Sequence, residues 1–140
     1  MNKLYIISLI LKYAALFDID PNLALSVAKT ESQLIPNAIG KVGEIGIFQI
    51  RPEYSTLTKN QLLNPEINII EGLQKIKEAK MKCPHKKYFI ICYNTGVAGA
   101  RNIKYPKEHV YVKKVYSHYL YLFDDMYYFP SREQRQNISH

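Results

Sequence analysis

One mainly α-helical domain with at most a short β element is what this sequence predicts, and three observations carry the expectation. With 140 residues and 47% hydrophobic side chains, the chain suits a single core and leaves little room for a second one. Twice, at Asp20–Pro21 and Asn64–Pro65, a capping side chain precedes a proline placed to open a helix. Apolar residues then recur at helical spacing, as with Ile67, Ile70, Leu73 and Ile76 in "EINIIEGLQKIKEAK". Strand patterns are thin, confined to short pieces around "GIFQI".

Taken in order, the first helix is expected over residues 3–17. Its apolar run follows Lys3 and invites a signal-peptide reading, but Lys12 interrupts it and no Ala-x-Ala cleavage pattern follows. It is also too short to span a bilayer. The run therefore reads as part of the fold, and the chain is expected to carry no export signal of its own. Asp20 and Pro21 start the second helix, and Asn64 and Pro65 start an amphipathic helix with a lysine-rich wet face. After Pro84, "KKYFIICYNTG" is apolar on nearly every side until Asn94 and Gly96 stop it, so it belongs in the middle of the fold. A last helix begins near Glu108. The domain is expected over residues 1–128, followed by a polar tail over 129–140.

A formal charge of +7 favours an anionic polymer as partner: nucleic acid, an acidic membrane surface or the bacterial cell wall. Twelve tyrosines without a tryptophan suit either a core or a groove for sugars or bases. Cys83 and Cys92 are too few for a disulfide scaffold and lack zinc-site spacing, so both read as thiols in preference to a bridge. The four histidines form no HExxH pair, and neither a GxSxG turn nor a GxxxxGK[ST] loop occurs. No metal or organic cofactor is expected.

One carboxylate is oddly placed. On a wheel of about 100° per residue, Leu23, Ala24, Val27, Ala28 and Leu34 share one side of the second helix, and Glu31 falls near its centre. Glu31 also lies in the last turn, because Pro36 pushes Ile35 out of helical geometry. There the negative end of the helix dipole and partial burial both disfavour its charge. A carboxyl held neutral near neutral pH is suited to general-acid catalysis. The bland alternative is a rim glutamate that reaches water or pairs with a lysine. Glu44, the nearest second carboxylate, reads as a loop residue.

The series "ES", "NAIGKVGEIGIFQI", "NPEINIIEGLQKI", "CYNTG" and "YVKKVYSHY" resembles the lysozyme-like domain of family 1 lytic transglycosylases, glycoside hydrolase family 23. More distantly it is similar to goose-type lysozymes. The resemblance runs from about residue 9 to 120 and implies an α+β lysozyme-like fold with a substrate groove. It implies Glu31 as catalytic acid/base, supported by Ser32, with Tyr93 close to the glutamate and Tyr111 opening the last helix motif. It places Gly46, Ile47, Phe48 and Gln49 along the substrate groove, with Asn94 and Gly96 completing the site. A tyrosine in so apolar a segment needs a partner, and Tyr93 pointing at Glu31 would satisfy it; a core tyrosine bonded to a backbone carbonyl is the alternative. Gly40 stands where the family often has serine, Phe48 replaces methionine and Thr95 replaces alanine.

Most glycosidases flank the bond with two carboxylates, and only Glu31 has a convincing setting here. The resemblance implies one glutamate acting as acid and then base, with help from the substrate's N-acetyl group. The muramic acid 6-hydroxyl then attacks and closes a 1,6-anhydro ring. The expected substrate is the β-1,4 bond between N-acetylmuramic acid and N-acetylglucosamine in peptidoglycan. The nearest rival is a muramidase that uses water in the same groove. From other classes come a non-catalytic wall-binding protein and a nucleic-acid binder using Lys80, Lys82, Lys86 and Lys87; the lysines read better as a solvated face, and no nucleic-acid partner is expected. The expected setting is a monomer acting in the periplasm or cell wall, delivered by a phage or a secretion machine.

Overall fold

The computed structural model describes residues 2–126, with helices α1 (Lys3–Leu16), α2 (Pro21–Ser32), α3 (Lys59–Leu63), α4 (Pro65–Lys82), α5 (Ile91–Ala100) and α6 (Val110–Met126). Short 3-10 turns cover Pro52–Tyr54 and Pro106–Glu108. The expected tail over 129–140 lies outside the described residues.

Each helix start has a local cause. Asn2 caps α1 by accepting from the Leu4 N–H, Asp20 caps α2 through Asn22, and Asn64 caps α4 through Ile67. Pro21 and Pro65 occupy first-turn positions where no amide hydrogen is missed. The short helix α3 was not anticipated, although Thr58 and Gln61 form a reciprocal capping box that the sequence spells out.

Ile6, Ile10 and Ala14 of α1 have no exposed surface, so the N-terminal apolar run is one wall of the core. It packs against α2 and α4, while α2 packs chiefly against α6. No helix among the described residues is long and apolar enough to cross a membrane. On α4 the buried stripe is Asn68, Ile69, Gly72, Leu73, Ile76 and Ala79, rotated from the expected one because Ile67 and Ile70 lie only half inside.

The end of α2 differs in cause from the expectation. The helix stops at Ser32, before Pro36 can act, because Gln33 and Leu34 both adopt left-handed backbone with φ of 54° and 64°. The chain then folds over itself through isolated bridges, Ile39 to Ile45 and Ile45 to Ile50, which are the short β element expected near "GIFQI". The last apolar segment begins in turns over residues 87–90 and becomes helical at Ile91. Asn94 does not end it. Gly96 breaks it, with φ 77° and ψ 161° in a region only glycine enters readily, and helical structure resumes to Ala100.

The thiol reading of the cysteines is overturned: Cys83 and Cys92 form a disulfide with Cα atoms 5.9 Å apart. The series of turns between them brings the C-cap of α4 back to the first turn of α5, a proximity that residue spacing did not reveal.

Candidate active site

A groove of about 480 Å³ opens between the loop after α2 and the facing sides of α4 and α5. Glu31, Glu44, Gln49, Tyr93, Asn94 and Gly96 are among its lining residues. Glu31 reaches it from the last turn of α2 and is half-buried. The phenol of Tyr111, in the first turn of α6, donates to Glu31 Oε2 at 2.8 Å.

Burial raises the Glu31 carboxyl from 4.5 to about 7, and the charge of Glu44 pushes in the same direction. The Tyr111 hydrogen bond and the charge of Lys114 pull it down, and burial wins. The group is therefore partly protonated at neutral pH while remaining in contact with the groove. It can give up a proton and take one back within the same pH range.

Tyr93 takes the alternative given for it. Its hydroxyl donates to the Phe48 carbonyl at 2.6 Å, and not to Glu31. It still stands near the acid: burial first, then the negative charge of Glu31, push its phenol well above the ordinary range. The direct hydroxyl partner of the acid is Tyr111, from whose O–H the carboxylate accepts a hydrogen bond.

Ser32 is buried and donates to the Ile47 carbonyl at 2.7 Å, so it grips the loop and not the acid's carboxylate. Ile47 and Phe48 have no exposed surface; their side chains are core, which corrects the expectation that they line the groove. Gly72 makes room for Phe48, since a Cβ there would come within 2.3 Å of the ring. Gly46 is also buried, with φ 81°, and a Cβ would come within 2.3 Å of the Asn68 amide. Of this block only Gln49 faces the groove, and its amide nitrogen is committed to the Ala38 and Gly46 carbonyls at 3.1 and 2.9 Å. Asn94 and Gly96 are exposed on the groove wall.

Sequence reasoning missed Asn68. It is fully buried, accepts from the Phe48 N–H at 2.8 Å, and donates to the carbonyls of Ile45 and Leu62 at 2.8 Å each. A lone amide among isoleucines in "EINIIEG" is the signal that could have found it. Three helices thus hold the 45–49 loop by its backbone: α2 through Ser32, α4 through Asn68 and α5 through Tyr93. The departure at Gly40 also has a local reason. A Cβ there would come within 2.5 Å of the Glu44 carboxylate and 2.6 Å of the Gln49 amide oxygen, so a serine would require both to shift.

A family model, the transglycosylase SLT domain, matches residues 8–114. The chain belongs to this family, whose members are lytic transglycosylases acting on peptidoglycan, and it is an enzyme of that class. The match runs from α1 into the first turns of α6 and so includes both Glu31 and Tyr111. A search of curated proteins finds no match.

Proposed function

We propose that the chain cleaves the β-1,4 bond between N-acetylmuramic acid and N-acetylglucosamine with Glu31 as its single general acid/base. One observation carries the reading: a carboxyl that burial lifts to about 7, held by a phenol and open to a groove of polymer-binding size. Protonated Glu31 gives its proton to the bridging oxygen as the glycosidic bond breaks, and the developing cation is met by the substrate's own N-acetyl oxygen. The resulting carboxylate then takes the proton from the muramic acid 6-hydroxyl, which closes the 1,6-anhydro ring and restores the acid. Tyr111 steadies the carboxylate through both halves by donating to it. In this reading Gln49 and the Asn94–Gly96 wall line the sides that hold the glycan, as an enzyme acting in the cell wall requires.

A specific observation also favours a second reading, in which water replaces the 6-hydroxyl. Glu44 lines the same groove, and its charge acts on Glu31. A second carboxylate is what a hydrolytic glycosidase uses. Against this, Glu44 Oε1 accepts from the Val42 N–H at 2.9 Å, a local turn contact. Digestion of purified sacculi followed by mass spectrometry separates the two, because the anhydro product is lighter by one water than the reducing end. Anhydro ends that vanish with Glu31→Gln support the proposal; reducing ends alone would replace it with the hydrolytic reading.

A further inference from the structure

A second hollow lies toward the other end of α2 from Glu31 and shares no lining residue with the groove. About 12 Å of helix rise separates Leu23, on its floor, from the acid. The hollow holds about 250 Å³, and its floor is Ile19 and Leu23, both buried. Its walls are aromatic. Tyr116 and Tyr119, one turn apart on α6, bring their rings to the same face, with centroids 5.9 Å apart and planes at 42°. Phe89 closes the hollow from the turns between the two bridged cysteines, and its neighbour Tyr88 stands edge-on to Tyr116, centroids 5.8 Å apart at 85°. The rings of Phe89, Tyr116 and Tyr119 are half-buried, so each is open in part to a ligand.

Two charged residues stand at the rim, Asp20 and, from α4, Lys80. Both are held in place. Asp20 Oδ1 accepts from the Asn22 N–H at 2.9 Å and Oδ2 accepts from the Tyr119 hydroxyl at 3.0 Å, while Lys80 Nζ donates to the Asp18 carbonyl at 3.2 Å. Each keeps capacity for a ligand, because a carboxylate accepts, and an ammonium donates, more hydrogen bonds than these. The opposite charges also set the hollow apart from a phosphate site, since an anion drawn by Lys80 is repelled by Asp20. A neutral ligand rich in hydroxyl and amide groups meets no such conflict. In an N-acetyl sugar the C–H face of the ring can lie on an aromatic wall, the acetyl methyl can take the apolar floor, and the polar groups can reach the rim. The volume admits about one such unit.

We infer that this hollow is a second, non-catalytic carbohydrate site that takes one N-acetyl sugar of a wall glycan, remote from the point of cleavage. The inference rests on the reading of the substrate as a glycan and goes beyond the groove that carries the chemistry. Because the two sites share no lining residue, a sugar held in the hollow leaves the groove open to another segment or another strand. The enzyme is thereby kept on the wall between cleavage events.

A titration read residue by residue tests this. The nitrogen-15-labelled Glu31→Gln protein, which binds without turnover, is titrated with a soluble, uncharged β-1,4 tetramer of N-acetylglucosamine. Amide shifts at Leu23, Lys80 and Phe89 report the hollow, and those at Gln49, Asn94 and Gly96 report the groove. Two sets of shifts with separate midpoints are expected. Tyr116→Ala, which removes a stacking wall, should weaken the hollow's midpoint about tenfold. Lys80→Gln, an exposed change that leaves the packing alone, should weaken it about threefold. In both variants the groove's midpoint stays where it was, and the groove signals show that the protein is folded. Shifts at the groove alone would overturn the second site and leave the groove reading intact. A hollow midpoint that tracks the groove's in every variant would overturn it as well, as a relayed change. Shifts at the hollow alone would support the second site and overturn the assignment of the groove to glycan, and silence in both sets would overturn both.

Discussion

Glu31 shows how one residue acquires a function from its position. At the last turn of α2 it meets the negative end of the helix and is half-withdrawn from water, so its neutral form is favoured up to about pH 7. Three predictions belong to this scale. An acid that must be protonated makes activity fall as pH rises through about 7. Removing the Glu44 charge lowers the Glu31 pKa, so Glu44→Gln should move the falling limb of the pH–rate profile toward acid; an unmoved limb would show that the two carboxylates do not interact. The same shift sets a stability cost. The folded state binds a proton more tightly than the unfolded chain between about 4.5 and 7, so stability declines as pH rises across that window and is not penalised below it. Glu31→Gln removes the penalty, which predicts a gain of about 3 kcal/mol at pH 8 and little change at pH 4, read by urea denaturation. Equal effects at both pH values would contradict the burial argument.

At the scale of elements, the 45–49 loop depends on α2, α4 and α5, and its weakest tolerance is at Gly46. Gly46→Ala would force a side chain into positive φ and against Asn68, with an expected loss of about 1–3 kcal/mol in chemical denaturation. The disulfide has an analogous role on the opposite wall, where it ties α4 to the helix that carries Tyr93 and Asn94. Reduction should lower stability by about 2–3 kcal/mol, the loop-closure value for so short a ring, and should lower activity in parallel. A denaturation midpoint indifferent to reductant would mean that packing alone holds α5. Legibility followed the same divide. Caps such as Asp20–Pro21 and Asn64–Pro65, and the out-of-place Glu31, could be read because their physics is local. The burial of Ile47 and Phe48, the bond from Tyr93 to the Phe48 carbonyl and the Cys83–Cys92 bridge are not legible in the sequence, because each depends on which distant element lies opposite. Periodicity along one helix carries no information about that.

For the whole molecule, the charge of +7 is dispersed over exposed positions such as Lys80, Lys82, Lys86, Lys87 and Lys104. An anionic wall polymer is attracted to such a surface as a whole, in addition to any contact in the groove. Binding of the Glu31→Gln protein to intact sacculi should therefore weaken as salt is raised from about 0.05 to 0.5 M, as screening shortens the reach of the exposed charges. Salt-independent binding would assign the adhesion to the groove alone. The central claim, that one buried carboxyl is neutral enough at physiological pH to donate a proton, is tested most directly by a carbon-13 NMR titration of the Glu31 side chain in the intact protein. A midpoint near 7 is the predicted result, and a midpoint near 4.5 would contradict it.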